Sequence, residues 1–474
     1  MYHSKQDKKG NIVATKKAYI VTDLGFGDGG KGSVVHKIVT HAKPHTIIKV
    51  GGAQGSHGVS YSGGRKFSFS QFGCGTFEGV RTHLSNKFVV SPVGLMNEAD
   101  ALEEFGVRNP LARLTVDERT LLSTSFHGIS SRLKEMARTK NKRGIIGVGI
   151  GEAFLDAELH PEFAIYASDL KRPGLHEKLR AVLEQKRQEI ALLYEAEFMT
   201  DDAGEVKDQL GMLRDDNFFA WVCEVFDRFA HDVRIVDADY LQREIFSREG
   251  SLVFESSHGV LTDRYYGFHP HTTRLRTVPQ ENAETVLKEG GWNEQVVRLG
   301  VMRSYQIKHG AGPFVVDTPT MAELLLPEEF GNPDRYRGQV RVGPLDMVAL
   351  RYARDVCGGT SSFDGLCVTW CDTVSRLGKF TICSSYDGAH ASEFFTEEGH
   401  LRVHHGHDDE QLWRQERLAT MLHTCRPHVT QHILPAYSNN NNVRQLVTEV
   451  LKEELGVPVR MAGFGPTALD TLLF

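Results

Sequence analysis

The stretch DLGFGDGGKGS, residues 23–33, indicates the fold of this chain. A short apolar and β-branched run, residues 18–22, precedes it and is typical of a buried strand. Apolar residues recur at helical spacing in residues 34–39, directly after it. A glycine-rich turn therefore joins a strand to a helix. The free N–H groups and the positive dipole end of such a helix suit a phosphate group.

The turn comes close to the Walker pattern of nucleotide-binding loops without completing it. Gly25, Gly30 and Lys31 have the Walker spacing, but Gly32 stands where Ser or Thr should follow the lysine. A purely structural turn is the alternative. Asp28 argues against it, because phosphate would repel a carboxylate among anion-binding amides unless that carboxylate has its own task. It could hold Mg2+ between phosphates or accept a proton from a substrate.

A second glycine-rich strand end follows the first. TIIKV, residues 46–50, predicts a strand, and GGAQGSHG, residues 51–58, continues it with an amide and an imidazole. In a parallel β-α-β unit both strands end at the same edge of the sheet. Asp28 and His57 could therefore face one ligand.

These two segments resemble those of the adenylosuccinate synthetase family, which carries GDEGKGK and GGxNAGH at similar spacing. That family uses GTP, Mg2+ and aspartate to convert inosine monophosphate (IMP) to adenylosuccinate. The resemblance implies that Asp28 is the general base, that His57 is the general acid, and that Asp28 and Ser56 hold the metal. Three family residues are replaced here, by Gly29 for Glu, Ser33 for Lys and Gln54 for Asn.

Composition and charge describe an ordinary globular protein. The chain has 474 residues, a net charge of -6 and a pI of about 6.4, which argues against a general nucleic-acid binder. The sequence contains no stretch of about 20 apolar residues, so no membrane span is predicted. Seven scattered cysteines without C-x-x-C spacing favour reduced thiols in the cytoplasm. We expect a disordered basic tail over residues 1–16 and one domain over 17–474, with a helical section at about 175–247.

GIIGVGIG, residues 144–151, suits a loop that closes around a ligand, and a glycine-weakened strand is the alternative. The family has GTTGRGIGP here. Its phosphate-binding threonine is Ile146 in this chain and its arginine is Val148. The family arginine that reaches the neighbouring subunit's site falls near His160. The resemblance therefore implies a purine-phosphate contact that has lost a hydroxyl and positive charge.

Two later segments also match the purine site of the family. In FESSHG, His258 stands for a glutamine that binds IMP, and in GFHPHTT Thr273 keeps a phosphate-binding threonine. His258, His269 and His271 could suggest a metal site. They lack zinc-type spacing, so ordinary polar histidines are the favoured interpretation.

The segment that binds aspartate in the family differs most. KHGAGPF, residues 308–314, nearly matches the family's RVGAGPF, but YRGQVRVGPLD, residues 336–346, keeps little of TTGRxRRxGW[LF]D. Arg341 survives. Because a carboxylate substrate favours bidentate arginine, Arg335 and Arg337 could substitute after a shift. Alternatively, they are only charges on a loop.

A guanine-reading element is expected near residue 370. A predicted strand, residues 365–369, leads to Trp370 and Asp372, where the family has T-K-x-D. An aspartate accepts from both N1–H and the 2-amino group of guanine, and an indole can stack on a base. A lone structural aspartate is the alternative. Gly463 and Gly465 resemble the family's STGP loop over the guanine.

Taken with the resemblance, the sequence predicts a large α/β protein with a mainly parallel central sheet, a P-loop-like nucleotide site, and helical and small antiparallel additions. The implied activity is a GTP- and Mg2+-dependent C–N ligase of purine biosynthesis that works as a homodimer. Two alternatives stay open: a paralogue with another purine or amine, and a non-catalytic guanine-nucleotide-binding regulatory protein. The predicted nucleotide-binding residues are Gly27, Gly29, Gly30, Lys31, Gly32, Ser33, Ser56, His57, Gly58, Trp370, Asp372, Gly463 and Gly465. The predicted substrate-binding residues are Gln54, Ile146, His258, Thr273, Arg335, Arg337 and Arg341.

Overall fold

A computed structural model of the chain describes residues 5–6, 12–13, 16–138, 142–194 and 203–474. Most of the predicted tail, residues 1–16, lies outside the described residues. The strands, in chain order, are β1 (Lys5–Gln6), β2 (Ile12–Val13), β3 (Lys17–Asp23), β4 (Thr46–Gly52), β5 (His57–Ser60), β6 (Lys66–Phe69), β7 (Arg81–Val90), β8 (Leu114–Asp117), β9 (Leu121–Leu122), β10 (Ile165–Tyr166), β11 (Arg234–Val236), β12 (Ser251–Ser256), β13 (Gln295–Arg303), β14 (Gln306–His309), β15 (Val340–Gly343), β16 (Leu345–Asp346), β17 (Gly365–Thr369), β18 (Lys379–Asp387), β19 (Arg426–Ile433), β20 (Val459–Gly463) and β21 (Thr471–Leu473).

The large sheet is parallel through its centre. Within the described ranges it has twelve strands, in the order β10-β9-β7-β4-β12-β3-β13-β17-β20-β21, with β8 also paired to β7 and β11 paired to β8. Every pair from β7 to β20 along this order is parallel, and the pairs β10–β9 and β20–β21 are antiparallel. Small sheets form from β5–β6, β14–β15 and β16–β18–β19. The predicted fold class is confirmed.

Helices connect the parallel strands and cover the sheet. They are α1 (Lys31–Ala42), α2 (Pro92–Glu104), α3 (Ser125–Ala137), α4 (Ile150–Leu159), α5 (Leu175–Tyr194), α6 (Ala203–Arg214), α7 (Asp216–Asp232), α8 (Ala283–Glu289), α9 (Pro319–Leu325), α10 (Pro327–Gly331), α11 (Met347–Val356), α12 (Cys371–Leu377), α13 (Asp409–Leu422) and α14 (Asn440–Leu455). The predicted helical section contains α5, α6 and α7. None of the described helices is both long and apolar enough to cross a membrane.

The first β-α unit forms as its sequence predicts. Ala18, Ile20 and Val21 of β3 are buried, as are Val34, Val35, Ile38 and Val39 of α1. β3 is a central strand between β12 and β13, and its consecutive residues 20–23 are all buried, so both of its faces are covered, which explains its continuous apolar run.

One predicted boundary was wrong. From the sequence alone, residues 97–105 predict a helix with Asn97 as its N-cap, but α2 begins at Pro92, and the Ser91 side chain accepts a hydrogen bond from Gly94 N at 3.2 Å. Proline fits the first turn of a helix, where its missing N–H has no partner to lose, and serine is a good N-cap. The helix therefore starts five residues before the predicted cap.

Candidate functional site

A buried ion pair holds the glycine-rich loop from inside. The Asp23 carboxylate, at the end of β3, accepts from Gly25 N at 2.9 Å, from Gly29 N at 2.8 Å and from Lys31 Nζ at 2.9 Å. Both charged side chains are almost fully buried. The amide of Gly29, predicted to bind nucleotide, is thus bonded to the protein. An added Cβ at Gly29 would lie 2.7 Å from Asp23 Oδ2, so only glycine fits there.

Asp28 is held in place by two arginines and a histidine. Its Oδ2 accepts from Arg337 Nη2 at 2.9 Å and from His309 Nε2 at 3.2 Å, and its carbonyl oxygen accepts from Arg303 Nε at 2.6 Å. Burial raises the pKa of the Asp28 carboxyl, but the His309 hydrogen bond and the Arg337 charge outweigh burial and hold this pKa well below its usual range. The side chain is still 35% exposed, so an ionised carboxylate faces the cavity next to it.

His57 belongs to a buried network around Glu255 of β12. Glu255 Oε1 lies 2.6 Å from His57 Nδ1 and accepts from Lys49 Nζ at 2.7 Å, while Oε2 accepts from Cys74 N at 3.0 Å. Burial alone would raise the pKa of Glu255, but the Lys49 charge and the His57 hydrogen bond outweigh burial and hold this pKa well below its usual range. The carboxylate is therefore ionised. An ionised carboxylate only accepts. His57 Nδ1 therefore carries the proton.

The same network is the one group of His, Cys, Asp or Glu side chains, among the described residues, whose spacing could suit a metal ion. The ligand atoms of His57, Cys74 and Glu255 lie within 4.8 Å of one another. Lys49 already donates to the Glu255 oxygen, and burial raises the pKa of the Cys74 thiol well above its usual range. A protonated thiol is a poor metal ligand, so hydrogen bonding accounts for this trio.

Two cavities meet at Asp28. The large cavity, of roughly 860 Å³, lies between the glycine-rich loop, residues 54–60 and the ends of β17 and β20. The small cavity, of roughly 200 Å³, lies between residues 143–152 and residues 271–274. Both are lined by Phe26, Gly27, Asp28, Gln54, Ile146, His258 and Arg337. Asp28 and His57 both line the large cavity, as the parallel β-α-β argument predicts.

Most of the predicted nucleotide-binding residues line the large cavity. Gly29 is the exception. Those that line it are Gly27, Gly30, Lys31, Gly32, Ser33, Ser56, His57, Gly58, Trp370, Asp372, Gly463 and Gly465. Lys31 reaches the cavity wall, but its ammonium is paired with Asp23. Asp372 is exposed in the cavity wall, where an aspartate can accept from a base.

Trp370 has one ring face already covered. The Arg303 guanidinium carbon lies 3.7 Å from the centre of the indole ring, an arrangement typical of a cation–π contact. An added Cβ at Gly30 would lie 2.8 Å from Trp370 Cζ3, so the indole also packs tightly against the glycine-rich loop. A base stacked on Trp370 would use the remaining face.

The predicted substrate-binding residues divide into two groups. Gln54, Ile146, His258 and Arg337 line both cavities, and Thr273 lines the small one. Arg341 and Arg335 line neither cavity. Arg341 donates to Asp317 at 2.7 Å and to the carbonyl oxygens of Gly310 and Gly312, and Arg335 pairs with Glu205.

Two unpaired polar atoms point to where a ligand hydrogen-bonds. Gln54 Oε1 and His258 Nε2 are buried without a hydrogen-bond partner among the described residues. Burial and the Lys31 charge lower the pKa of His258 to about 3, and mainly burial lowers the pKa values of His269 and His271 to about 4. These three imidazoles are therefore neutral. Neutral His258 can donate from one ring nitrogen and accept at the other.

Sequence reasoning missed the residues that hold the two catalytic candidates in place. Asp23, Arg303 and His309 are the last residues of their strands, and Lys49 and Glu255 lie inside theirs, but nothing local marked their partners. Glu255 and Lys49 meet because β12 and β4 pair in parallel with these residues in register. A charged residue inside an otherwise apolar strand was the one sequence feature that could have indicated a buried partner for these side chains.

The mainly parallel sheet, the glycine-rich loop between β3 and α1 and the two cavities that meet at Asp28 are typical of nucleotide-dependent α/β enzymes. The sequence model described as adenylosuccinate synthetase matches residues 20–472. The chain therefore belongs to the adenylosuccinate synthetase family, whose members are GTP-dependent ligases.

Individual relatives agree with this family. The chain is 28% identical to the adenylosuccinate synthetase of Clostridium novyi over 385 residues, which cover 78% of this chain and 81% of that protein. It is also 28% identical to that of Neisseria gonorrhoeae over 386 residues, covering 79% and 81%. The fully ligated Plasmodium falciparum adenylosuccinate synthetase has a similar fold, with a TM-score of 0.72, 18% identity and coverage of 96% and 99%. The cyanophage S-2L succinoaminodeoxyadenylate synthetase, bound to dGMP and dATP, also has a similar fold. Its TM-score is 0.53 and its sequence identity 13%, and the match covers 97% of this chain and 95% of that chain.

Proposed function

We propose that this ligase transfers the γ-phosphoryl group of GTP to O6 of a 6-oxopurine nucleotide, IMP or an analogue, releasing GDP, and that the amine of aspartate then displaces phosphate from C6. The observation that carries the proposal is the pair Asp28 and His57, an ionised carboxylate and an imidazole that line one cavity large enough for a triphosphate. Asp372 and Trp370, which line the same cavity, would read the guanine.

In the first step, Asp28 accepts the proton from N1 of the purine, and O6 then attacks the γ-phosphorus. The Arg337 and His309 contacts hold the carboxylate in one orientation. His57 meets the triphosphate with Nε2, because Nδ1 is bonded to Glu255. Burial lowers the pKa of His57 in the free protein. The charge of a triphosphate favours the imidazolium, and Glu255 stabilises it, so His57 becomes a donor to the phosphoryl oxygens.

The residues present fit Mg2+. Asp28 Oδ2 is bonded to Arg337 and His309, while Oδ1 has no hydrogen bond among the described residues. Magnesium in nucleotide sites is held by one or two carboxylates together with phosphate oxygens. Asp28 would supply the carboxylate, with Ser56 at the exposed edge of the same cavity. When bound, the ion would neutralise negative charge on the phosphates.

A second candidate differs in its acceptor or amine. Neither Arg335 nor Arg341 lines the large or the small cavity, although a carboxylate co-substrate favours bidentate arginine. His258, where the family has glutamine, would present an imidazole to the purine. A different purine nucleotide or another amine, joined by the same phosphoryl transfer, is therefore the alternative that these residues favour.

Phosphate release from GTP tests the proposal. We expect release that depends on IMP and aspartate, and loss of turnover in Asp28→Asn and in His57→Asn. Asp237→Asn and His231→Asn change exposed side chains away from both cavities and serve as matched controls. Near-normal turnover in either site variant would refute the assigned role. Release with other purines or amines only would support the alternative, and release under no condition would favour a non-catalytic binding protein.

The cellular setting and assembly belong to the same proposal. All seven cysteines are buried and free, which suits a reducing compartment such as the cytoplasm. A homodimer rests on the family resemblance alone. Native mass measurement of the purified chain tests it, and a monomer that turns over at full rate would exclude a required dimer.

A further inference from the structure

Arg303, the last residue of β13, contacts both the glycine-rich loop and the indole of Trp370. Its Nε donates to the Asp28 carbonyl oxygen at 2.6 Å, and its guanidinium carbon lies 3.7 Å from the centre of the Trp370 ring. Its Nη1 donates to the hydroxyl of the buried Tyr305 at 2.6 Å, which holds the guanidinium in place. One half-buried side chain therefore joins the loop that contains the carboxylate to the indole that would stack on the base.

Both residues that Arg303 contacts have an unusual backbone conformation. Asp28 has a φ of 57° and Trp370 has a φ of 56°, in the left-handed region that residues other than glycine rarely adopt. Such conformations persist where the surroundings hold them, and they concentrate at functional sites. The Arg303 bond holds Asp28 at its carbonyl oxygen. The hydroxyl of Ser304, the next residue, donates to the Trp370 carbonyl oxygen at 2.6 Å, so the end of β13 holds both.

The loop and the indole also pack directly against each other. A Cβ added at Gly30 would lie 2.8 Å from Trp370 Cζ3. Thr369, which precedes the tryptophan, donates from Oγ1 to the Gly29 carbonyl oxygen at 2.7 Å. Because close packing leaves no free space here, the position of the indole and the position of the loop depend on each other.

We propose that Arg303 is a positioning residue that connects the base site of the nucleotide to Asp28. The proposal rests on the function proposed above and deepens it. A base stacked on the open face of Trp370 would hold the indole against the guanidinium. The guanidinium in turn holds the Asp28 carbonyl oxygen, and with it the orientation of the carboxylate. Binding of the base would therefore raise kcat as well as affinity, because part of its binding energy orients the group that accepts the proton.

Phosphate release at saturating GTP, IMP and aspartate is the first test. We expect Arg303→Met to lower kcat about 10- to 100-fold, the usual cost of a misplaced reacting group. Trp370→Leu should lower kcat about 3- to 10-fold and also raise the KM for GTP. An indole that only stacks on the base would raise this KM with kcat unchanged, and that result would overturn the proposal. The control is Arg298→Met on the same strand, which should keep the wild-type kcat because Arg298 is paired with Glu284 at 2.7 Å and lines neither cavity.

The double variant Arg303→Met, Trp370→Leu shows whether the two residues act together. If the effect of the base on kcat passes through Arg303, loss of the indole should cost nothing further once the guanidinium is gone. The double variant should then match Arg303→Met within about twofold. Losses in kcat that multiply would show two independent roles and would contradict the connection.

Arg303→Lys covers the case in which Arg303→Met does not fold. Lysine keeps the charge and can donate to the Asp28 carbonyl oxygen, but it lacks the flat guanidinium that stacks on an indole. We expect kcat to fall less than in Arg303→Met, and to become insensitive to Trp370→Leu. A lysine variant with the wild-type kcat and the wild-type response to Trp370→Leu would refute the proposal.

Calorimetric titration of the full chain with GDP separates this proposal from the function on which it rests. GDP should bind about 3- to 10-fold more weakly to Arg303→Met than to the wild type, and equally to Trp370→Leu with or without the arginine. If this pattern holds while the wild type releases no phosphate under any condition, the proposed function fails and Arg303 keeps only its role at the base. Turnover by the wild type, with kcat and GDP affinity unchanged in Arg303→Met, rejects the positioning role alone.

Discussion

Replacing Glu255 with glutamine should separate the stability of the site from its catalysis. In the folded chain the Glu255 carboxylate is fully buried and receives Lys49 Nζ at 2.7 Å, His57 Nδ1 at 2.6 Å and Cys74 N at 3.0 Å. Glutamine keeps the shape of the side chain but removes the negative charge. One oxygen acceptor also becomes an amide donor facing other donors.

The stability loss should be large. Lys49 is 1% exposed, and the change leaves its ammonium buried without a counter-charge. Breaking a buried ion pair from one side costs about 3–5 kcal/mol. Urea unfolding followed by circular dichroism measures this loss as a lower midpoint.

The catalytic loss comes from His57. Without the carboxylate, Nδ1 loses a charge-assisted hydrogen bond worth about 1.5–3 kcal/mol, and the imidazolium loses its counter-ion. If that energy is lost in the transition state, kcat falls roughly 10- to 150-fold. Phosphate release under saturating substrates, at a temperature where the variant is folded, measures the change.

The double variant Lys49→Met, Glu255→Gln is the decisive control. It removes both buried charges, so most of the stability should return, while His57 still lacks its carboxylate and kcat should stay low. If stability and kcat recover together, the kcat loss came from unfolding and the orienting role of Glu255 is refuted. A kcat for Glu255→Gln within twofold of wild type would refute it as well.

Three further outcomes are expected. Burial and the Arg341 charge lower the pKa of Lys308 to about 7, so this lysine in the small cavity loses its charge as pH rises through 7. The KM for an acidic co-substrate should therefore rise between pH 6 and 9. In Lys308→Arg that KM should not change with pH. Asp372→Asn should raise the KM for GTP about 10- to 100-fold and leave that for ATP unchanged, and an unaltered GTP/ATP ratio would exclude guanine reading. His309→Val removes a donor that lowers the pKa of Asp28, so the acid limb of the kcat–pH profile should move to higher pH; an unmoved limb would contradict that coupling.

Local patterns predicted the frame of the site well. The apolar run of residues 18–22 and the helical spacing of residues 34–39 give β3 and α1, because both elements depend on contacts within one β-α unit. Residues 365–369 were predicted as a strand and form β17 with the same bounds. The order of the strands follows from long-range pairing, which no local pattern contains.

The side chains that tune the site were harder to predict for the same reason. Arg337 reaches Asp28 from a loop more than 300 residues away in sequence, and Glu255 reaches His57 across 198 residues. Arg341 kept its place in the family motif, but an acid and two carbonyl groups take its donors. Motif position indicates where a residue lies in the chain, while its role depends on which partners the fold brings to it.

The site is divided into two cavities, and this division explains how the residues expected to contact the purine and the amine can differ from those of the family. The wall of the large cavity is built mostly from runs of consecutive residues at strand ends, including residues 30–34 and 54–60, so the backbone fixes much of its shape. The small cavity is lined by the glycine-rich run 143–152 and by side chains of separate segments, among them Arg274 and Lys308. Substitutions there can change the acceptor without moving Asp28 or His57. A screen at a fixed GTP concentration, in which only the purine nucleotide and the amine are varied, should therefore identify which nucleotide and which amine this chain joins. Such a screen uses the wild-type chain, with Asp28 and His57 unchanged.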